Sequence, residues 1–190
     1  MDALSDLLQA VRLTGGVFLD AHFTAPWCIA SRIDPEDCRP YLATPLQVIG
    51  YHYVVQGRML VSTDEKRAVE VRAGEIVLLP RNDLHFLGSS ISRKPIYAHD
   101  LIQASGPGGL ARIVHGGGGE HTHIVCGFLG SDQQGNPLLA TLPPILKVDM
   151  TQAGSADWIE SSLRFAIGGL RDGKIATATV MRKLSELMFV

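Results

Sequence analysis

The sequence predicts a mainly β domain, in which short strands form a small barrel or sandwich between an N-terminal helix and a C-terminal helical hairpin. Three observations predict this class. The 190 residues are enough to bury one sizeable core. The 20 glycines and 10 prolines indicate frequent turns. From residue 17 to 148, short apolar stretches recur between turn signals, which is typical of all-β domains.

The composition narrows the possible classes of function. Lys and Arg number 17 and Asp and Glu number 19, which argues against a basic nucleic-acid-binding surface on this chain. The 3 cysteines have no close pairing and predict no disulfide framework. The N-terminus lacks a basic region, and no apolar run approaches the roughly 20 residues of a membrane span. We therefore expect a soluble cytoplasmic protein with reduced thiols and no membrane partner.

The predicted elements follow in chain order. Apolar residues between Leu4 and Val11 have helical spacing, and Gly15 and Gly16 are predicted to end this first helix. The next eight apolar stretches, each bounded by turn signals, are predicted strands. They are residues 17–19, 46–55, 58–62, 68–71, 75–79, 96–101, 111–114 and 123–129.

The pattern changes to a helical period after Pro144. Apolar residues from Trp158 to Leu170 predict one helix, Gly173 ends it, and a second helix runs from about Ile175 to the C-terminus. The two helices would form a hairpin. The sequence thus divides into residues 1–150, a helix plus barrel, and residues 151–190, a helical hairpin. The apolar ending suggests that the natural chain continues.

The stretch from Gly74 to His85 is the most informative motif. A Gly74-Glu75 turn opens a strand of four apolar residues, Pro80 ends the strand, and a four-residue turn leads to His85. This spacing, G(D/E)x4Px4H, resembles the second motif of the cupin fold, a double-stranded β-helix barrel. The resemblance implies that His85 lies at the mouth of the barrel and faces inward.

The sequence GYHYVVQGR at residues 50–58 resembles the end of the first cupin motif, with Gly57 in the turn. Side chains alternate along a strand, so Gly50, His52 and Val54 share one face. The resemblance implies that this face is the inside of the barrel. We therefore expect a small-molecule ligand to contact Gly50, His52, Val54 and His85.

The usual cupin metal site is disfavoured. Metal-binding cupins supply two His and a Glu from the first motif, but Gly50 occupies the Glu position and residues 43–46 contain no ligand. His85 remains, with His52 as a possible substitute. An inward pair of hydrogen-bonded imidazoles is the simpler interpretation of these two residues. The sequence therefore predicts no catalytic residues and does not assign a cofactor.

Zinc or another divalent metal remains an alternative because imidazole and thiolate suit it. Its candidate ligands are His52, His85, His121, His123 and Cys126. On one strand His121 and His123 would share a face and Cys126 would point to the opposite face. A site using all three would need a bulge. A partly exposed strand start with a buried Cys126 is the simpler interpretation.

The order of these elements resembles the cupin-like N-terminal domain of AraC/XylS-type bacterial transcription regulators over the entire chain. The resemblance implies a regulatory, non-enzymatic domain that senses a small-molecule effector in the barrel. It also implies a homodimer through the helix at 175–190, and DNA binding by a C-terminal domain that is absent here. Two alternatives remain open: a metal-dependent cupin enzyme, and an oligomerisation module without a ligand.

Overall fold

The computed structural model describes residues 14–39, 45–64, 67–103, 110–131, 139, 141–153 and 161. Within these residues eleven strands form two sheets, which confirms the mainly β class. The predicted N-terminal helix lies outside the described residues, as does the C-terminal hairpin apart from Ser161. Gly15 and Gly16 lie in the first strand, not at the end of a helix.

The elements are best given in chain order. The strands are β1 Thr14–Thr24, β2 Cys28–Ser31, β3 Gln47–Gln56, β4 Arg58–Ser62, β5 Val69–Arg72, β6 Glu75–Leu79, β7 His85–Gly88, β8 Ile96–Tyr97, β9 Ala111–Gly116, β10 His121–Ser131 and β11 Leu146–Asp149. Helix α1 spans Ala98–Leu101, and 3₁₀ turns span Pro35–Cys38 and Met150–Ala153. No described helix has the length and apolar character needed to traverse a bilayer.

The two sheets face each other. The six-stranded sheet has the order β11-β6-β3-β10-β1-β9, and the five-stranded sheet has the order β5-β4-β7-β2-β8. Strand pairing is antiparallel except for β1 with β9 and β2 with β8, which are parallel. Strands β10 and β1 are therefore interior strands of the larger sheet, and each is hydrogen bonded on both sides.

Seven of the eight predicted stretches coincide with strands, and the prediction for 96–101 is confirmed at Ile96 and Tyr97 but is wrong from Ala98 to Leu101. Strand β8 ends at Tyr97, and the chain then makes one helical turn in which the Ile102 amide donates to the His99 carbonyl. Ile96 and Tyr97 are exposed, so no core face extends this strand. Strands β2 and β11, each 4 residues long, were not predicted.

Side-chain alternation along β3 separates two cores. Val54 packs in the core between the sheets, and Tyr51 and Tyr53 pack in a second core on the outer face of the six-stranded sheet. The inner core also includes Leu19, Ala21, Phe23, Met59, Val61, Val77, Leu79, Leu87 and Ile124. The predicted inward direction of the face that carries His52 and Val54 is therefore confirmed.

Both motif turns have the expected form. Gly57 connects β3 to β4 with a φ of +79°, a conformation that side chains disfavour, and an added Cβ would collide with the His121 carbonyl. Strand β6 begins at Glu75 and ends at Leu79, and β7 begins at His85. The spacing between Gly74 and His85 thus places an imidazole at the first position of an inward-facing strand.

Candidate functional site

Two buried imidazoles connect the two sheets. His52 lies in β3 of the larger sheet and His85 begins β7 of the smaller sheet. Their Nε2 atoms are 2.7 Å apart, and the residues are 2% and 0% exposed. The structure thus brings together two of the four predicted ligand residues through a direct hydrogen bond across the inside of the barrel.

This hydrogen bond belongs to a longer chain of polar contacts. Cys126 Sγ is 2.9 Å from His52 Nδ1, and the Asp83 carbonyl oxygen is 2.9 Å from His85 Nδ1. Because a carbonyl only accepts, His85 Nδ1 must donate to Asp83, and a neutral His85 then accepts from His52 at Nε2. His52 Nδ1 in turn accepts from the Cys126 thiol. With this single assignment of protons, each ring nitrogen of His52 and His85 either donates or accepts one hydrogen bond.

The electrostatics keep this inner chain uncharged. Burial lowers the pKa of His85 to about 4, although the hydrogen bond to Asp83 opposes the shift. Burial and the neighbouring His85 hold the pKa of His52 well below its usual value. Burial, with a smaller effect from Asp20, raises the pKa of the Cys126 thiol. At neutral pH the hydrogen-bonded series of Cys126, His52 and His85 therefore contains two neutral imidazoles and a thiol, not a nucleophilic thiolate.

The other two predicted ligand residues flank His52 along β3. Val54 is fully buried in the inner core. Gly50 lies near Ile33 and Asn82. A Cβ added at Gly50 would come 3.0 Å from the Ile33 side chain and 3.9 Å from Asn82 Oδ1. The surroundings of the imidazole pair are thus largely apolar. A role of Gly50, His52, Val54 and His85 in ligand binding stays a prediction.

A small cavity opens at the other end of the sheets. Its volume is about 140 Å³, and Met59 and Thr122 contribute to its lining. Arg58 at its rim is 3.5 Å from both Glu70 and Glu120. Strand β4 runs antiparallel to β7, so this end, where β4 begins, is opposite to the end where His85 begins β7. The cavity is therefore a small site with an ion-paired rim, at the end of the sheets away from His85.

A second group of histidines lies on the outer face of the larger sheet. His22 of β1 is the direct cross-strand neighbour of His123 of β10, and their rings stack with centroids 4.1 Å apart. Asp20 contacts both rings, with Oδ1 2.6 Å from His123 Nε2 and Oδ2 3.4 Å from His22 Nε2. His121 Nε2 is 3.3 Å from His22 Nδ1. We call these four residues the outer cluster.

The outer cluster was only half predicted. His121 and His123 were candidate ligands and do share a face, and Cys126 points to the opposite face toward His52, as the strand alternation predicted. Asp20 and His22 were not singled out. A signal was present in the spacing, because Asp20 and His22 are two residues apart on one strand, as are His121 and His123.

The outer cluster contains a charged group. Burial by itself would raise the pKa of Asp20, but His123 and His22 outweigh burial and hold that pKa below its usual range. Burial and the neighbouring rings of His22 and His123 lower the pKa of His121. The cluster therefore places an ionised carboxylate among three imidazoles, a set of donor atoms that can hold a proton or a cation.

Two facing, mostly antiparallel sheets around an apolar interior define the class of small double-sheeted β-barrels. A family model described as Cupin matches residues 2–190, and the chain belongs to this family. The predicted resemblance to the cupin fold is thereby confirmed. No curated protein matches the chain.

Two solved structures are similar to this chain at low identity. One is wild-type ToxT from Vibrio cholerae strain SCE256 with a bound unsaturated fatty acid, at 10% identity and a TM-score of 0.41, covering 93% of this chain and 51% of that chain. The other is an apo ToxT variant from the same strain, at 9% identity and a TM-score of 0.44, covering 94% and 53%. The chain spans about half the length of both.

Proposed function

We propose that the chain is the effector-sensing regulatory domain of an AraC-type transcription regulator, and that it has no enzymatic activity. Three observations support this. The cupin family match extends over residues 2–190, the order of sequence elements resembles such domains, and the net charge of −2 leaves DNA binding to another part of the protein. DNA would be bound through a further C-terminal domain.

The observation that carries the proposal is the hydrogen bond between His52 and His85. Ligand sites are typically apolar with a few well-placed polar groups, and this pair provides polar groups within the apolar interior. Neutral rings also suit the recognition of an uncharged or weakly polar effector. The buried thiol of Cys126, with its raised pKa, is unsuited to nucleophilic catalysis, which supports a binding role.

The pair also supplies a mechanism for sensing. His52 and His85 belong to opposite sheets. An effector that forms a hydrogen bond to either Nε2 atom would therefore replace the hydrogen bond between the sheets with one to itself. Such an exchange shifts the conformational equilibrium only as far as the effector binds the two states with different affinity. We propose that residues 151–190, as a homodimer contact through 175–190, transmit this shift.

The test is a thermal-shift screen of a metabolite panel, followed by calorimetry on any hit. We expect at least one small molecule to raise the Tm of the wild type, because a ligand that binds the native state stabilises it. His85→Ala should remove the response, and His99→Ala, on the exposed surface of α1, should retain it.

The two alternative functions predict different results in the same screen. A panel in which no compound changes the Tm would favour the ligand-free oligomerisation module. A hit that binds wild type and His85→Ala equally would place the effector away from the imidazole pair. Turnover of a compound that depends on added metal would favour the cupin enzyme.

A further inference from the structure

We propose that Asp20, His22 and His123 form a binding site for a divalent transition metal ion such as zinc on the outer face of the six-stranded sheet. His121 is a positioning residue for His22. This site is separate from the barrel interior, and the proposal stands independently of the proposed regulatory function.

Strand register brings the three ligands together. Asp20 and His22 are two residues apart on β1 and therefore share a face. His123 is directly opposite His22, and Val125, which is opposite Asp20, follows two residues later. Strand β1 is hydrogen bonded to both β9 and β10, so the backbone under the ligands is held on both sides. The positions of the ligands are thus set before an ion binds.

The spacing of the donor atoms suits a small cation. Two ligands of a tetrahedral zinc ion, each at about 2.0–2.1 Å from the metal, are about 3.3 Å apart. His22 Nε2 and Asp20 Oδ2 are 3.4 Å apart, and His123 Nε2 and Asp20 Oδ1 are 2.6 Å apart. The three ligand atoms all lie within 4.8 Å of one another. On binding an ion, the His123 and Asp20 donor atoms would move apart to the spacing of two metal ligands, and the stacked rings of His22 and His123 would turn toward the ion.

His22 supplies an independent indication of a ligand. Its Nε2 atom is buried and makes no hydrogen bond of standard geometry, although Asp20 Oδ2 lies 3.4 Å away. A buried ring nitrogen without a well-formed hydrogen bond is costly, and a metal ion would use its lone pair. On the other side of the ring, His22 Nδ1 lies 3.3 Å from His121 Nε2. Metal-binding imidazoles commonly donate their second N–H to such an acceptor, which fixes the tautomer.

The donor set selects the type of metal. Two imidazoles and one carboxylate suit zinc, cobalt, nickel or ferrous iron, whereas calcium and magnesium prefer oxygen ligands. The side chains of His22, His123 and Asp20 are 20%, 15% and 6% exposed, so the site lies just below the protein surface. Three protein ligands leave a coordination position for water or another ligand.

The first experiment measures binding directly. Tag-free protein is dialysed against a chelator and titrated with Co²⁺, whose visible absorption reports coordination, and then with Zn²⁺ in competition with a chromogenic chelator. We expect about one ion per chain, with a Kd on the order of micromolar or tighter. His22→Ala and His123→Ala should each weaken binding by at least about 100-fold. His99→Ala and His85→Ala should bind as the wild type does, because neither residue belongs to the cluster.

The role of His121 needs a test that separates positioning from folding. His121→Ala should weaken metal binding by about 10- to 100-fold and alter the Co²⁺ spectrum. His121→Gln keeps an acceptor for the N–H of His22 and should recover most of the affinity. Equal losses in both variants would remove His121 from the proposal.

A second measurement does not depend on variants that fold. Diethyl pyrocarbonate modifies accessible imidazoles, and mass spectrometry locates the modified residues in wild-type protein. Zinc should protect His22 and His123 and leave the modification of His99 unchanged. Substoichiometric binding, equal affinity in wild type and His22→Ala, or loss of binding on His85→Ala alone would each overturn the proposed site.

Discussion

The inner imidazole pair and the outer cluster use the same side chain in opposite ways. His52 and His85 face the interior, where Cys126 and a backbone carbonyl complete their hydrogen bonds. His22 and His123 face outward, stack on each other and share the carboxylate of Asp20. Strand β10 contributes to both groups, because Cys126 and His123 lie on its opposite faces.

The difference shows what decides the role of a histidine in this fold. Inside, each ring nitrogen of the pair has a neutral hydrogen-bond partner, and the bond between the rings joins the two sheets. Outside, an ionised carboxylate lies beside two imidazoles, and His22 Nε2 makes no hydrogen bond of standard geometry. The neighbouring groups, not the imidazole itself, separate a neutral hydrogen-bonded pair from a candidate set of metal ligands.

The largest expected difference is in the effect of removing one ring from each group. His52→Ala leaves a cavity and deprives both Cys126 and His85 of a partner, so it should lower the free energy of unfolding by about 3 kcal/mol. His22→Ala in the absence of metal should cost about 1 kcal/mol or less, because that residue is partly exposed. Urea unfolding in a chelator measures both. Equal losses would contradict the comparison.

The pH dependence of stability should also separate the two groups. His85 has a pKa of about 4 in the folded protein, against an ordinary value of 6.5 in an unfolded chain, so the unfolded chain binds more protons between these values. Stability is therefore full above about pH 6.5 and falls by about 3 kcal/mol as the pH drops to about 4. His52, whose pKa is also lowered, adds to this loss.

The outer carboxylate responds in a different pH window. The pKa of Asp20 is lowered from 3.8, so its contribution to stability is present above about pH 4 and is lost at lower pH. Urea unfolding from pH 7.5 to 4.5 should show the inner loss alone, apart from a smaller part from His121, whose pKa is also lowered. His85→Gln should flatten this slope, and His121→Gln should change it less. An unchanged slope in His85→Gln would refute the assignment.

A smaller effect tests the proton order of the inner chain. Cys126→Ala removes the donor to His52 Nδ1 and should cost about 1–2 kcal/mol, whereas Cys126→Ser keeps a donor and should recover part of that loss. Chemical denaturation of both variants gives the values. If Ser is less stable than Ala, the thiol does not donate to His52, and the hydrogen bond assigned between Cys126 and His52 is wrong.

The smallest expected effect concerns His121. Without metal, His121→Gln should change the free energy of unfolding by about 0.5 kcal/mol or less, because the ring lies at the partly exposed edge of the outer cluster. Thermal unfolding in a chelator measures this change. With zinc present the same variant should unfold at a slightly lower temperature than the wild type. A large loss in the chelator would show that His121 is structural.

The inner pair was largely predictable from the sequence. The spacing from Gly74 to His85 indicated a strand between two turns, and alternation along residues 50–55 indicated the direction of His52 and Val54. These are local signals, in which neighbours in sequence determine the geometry. The contact between His52 and Cys126 was not predicted, because these residues are 74 positions apart and meet only through the pairing of β3 with β10.

The outer cluster could not be assembled from the sequence for the same reason. His22 and His121 are 99 positions apart, and Asp20 and His123 are 103 apart, so only the register of β1 against β10 brings them together. Period-two spacing places residues on one face but does not identify the partner strand. The strand Cys28–Ser31 was not predicted, although the equally short strand Val69–Arg72 was.

Strand β10 has a consequence for how the two faces communicate. The thiol of Cys126 touches His52 on one side, and three residues earlier His123 contacts Asp20 on the other, so a single polypeptide wall separates the two environments. If metal binding at the outer cluster changes the affinity of the barrel interior for an effector, the effector must change the affinity for the metal by the same factor. The coupling between the two sites would then act across the thickness of a single β-sheet.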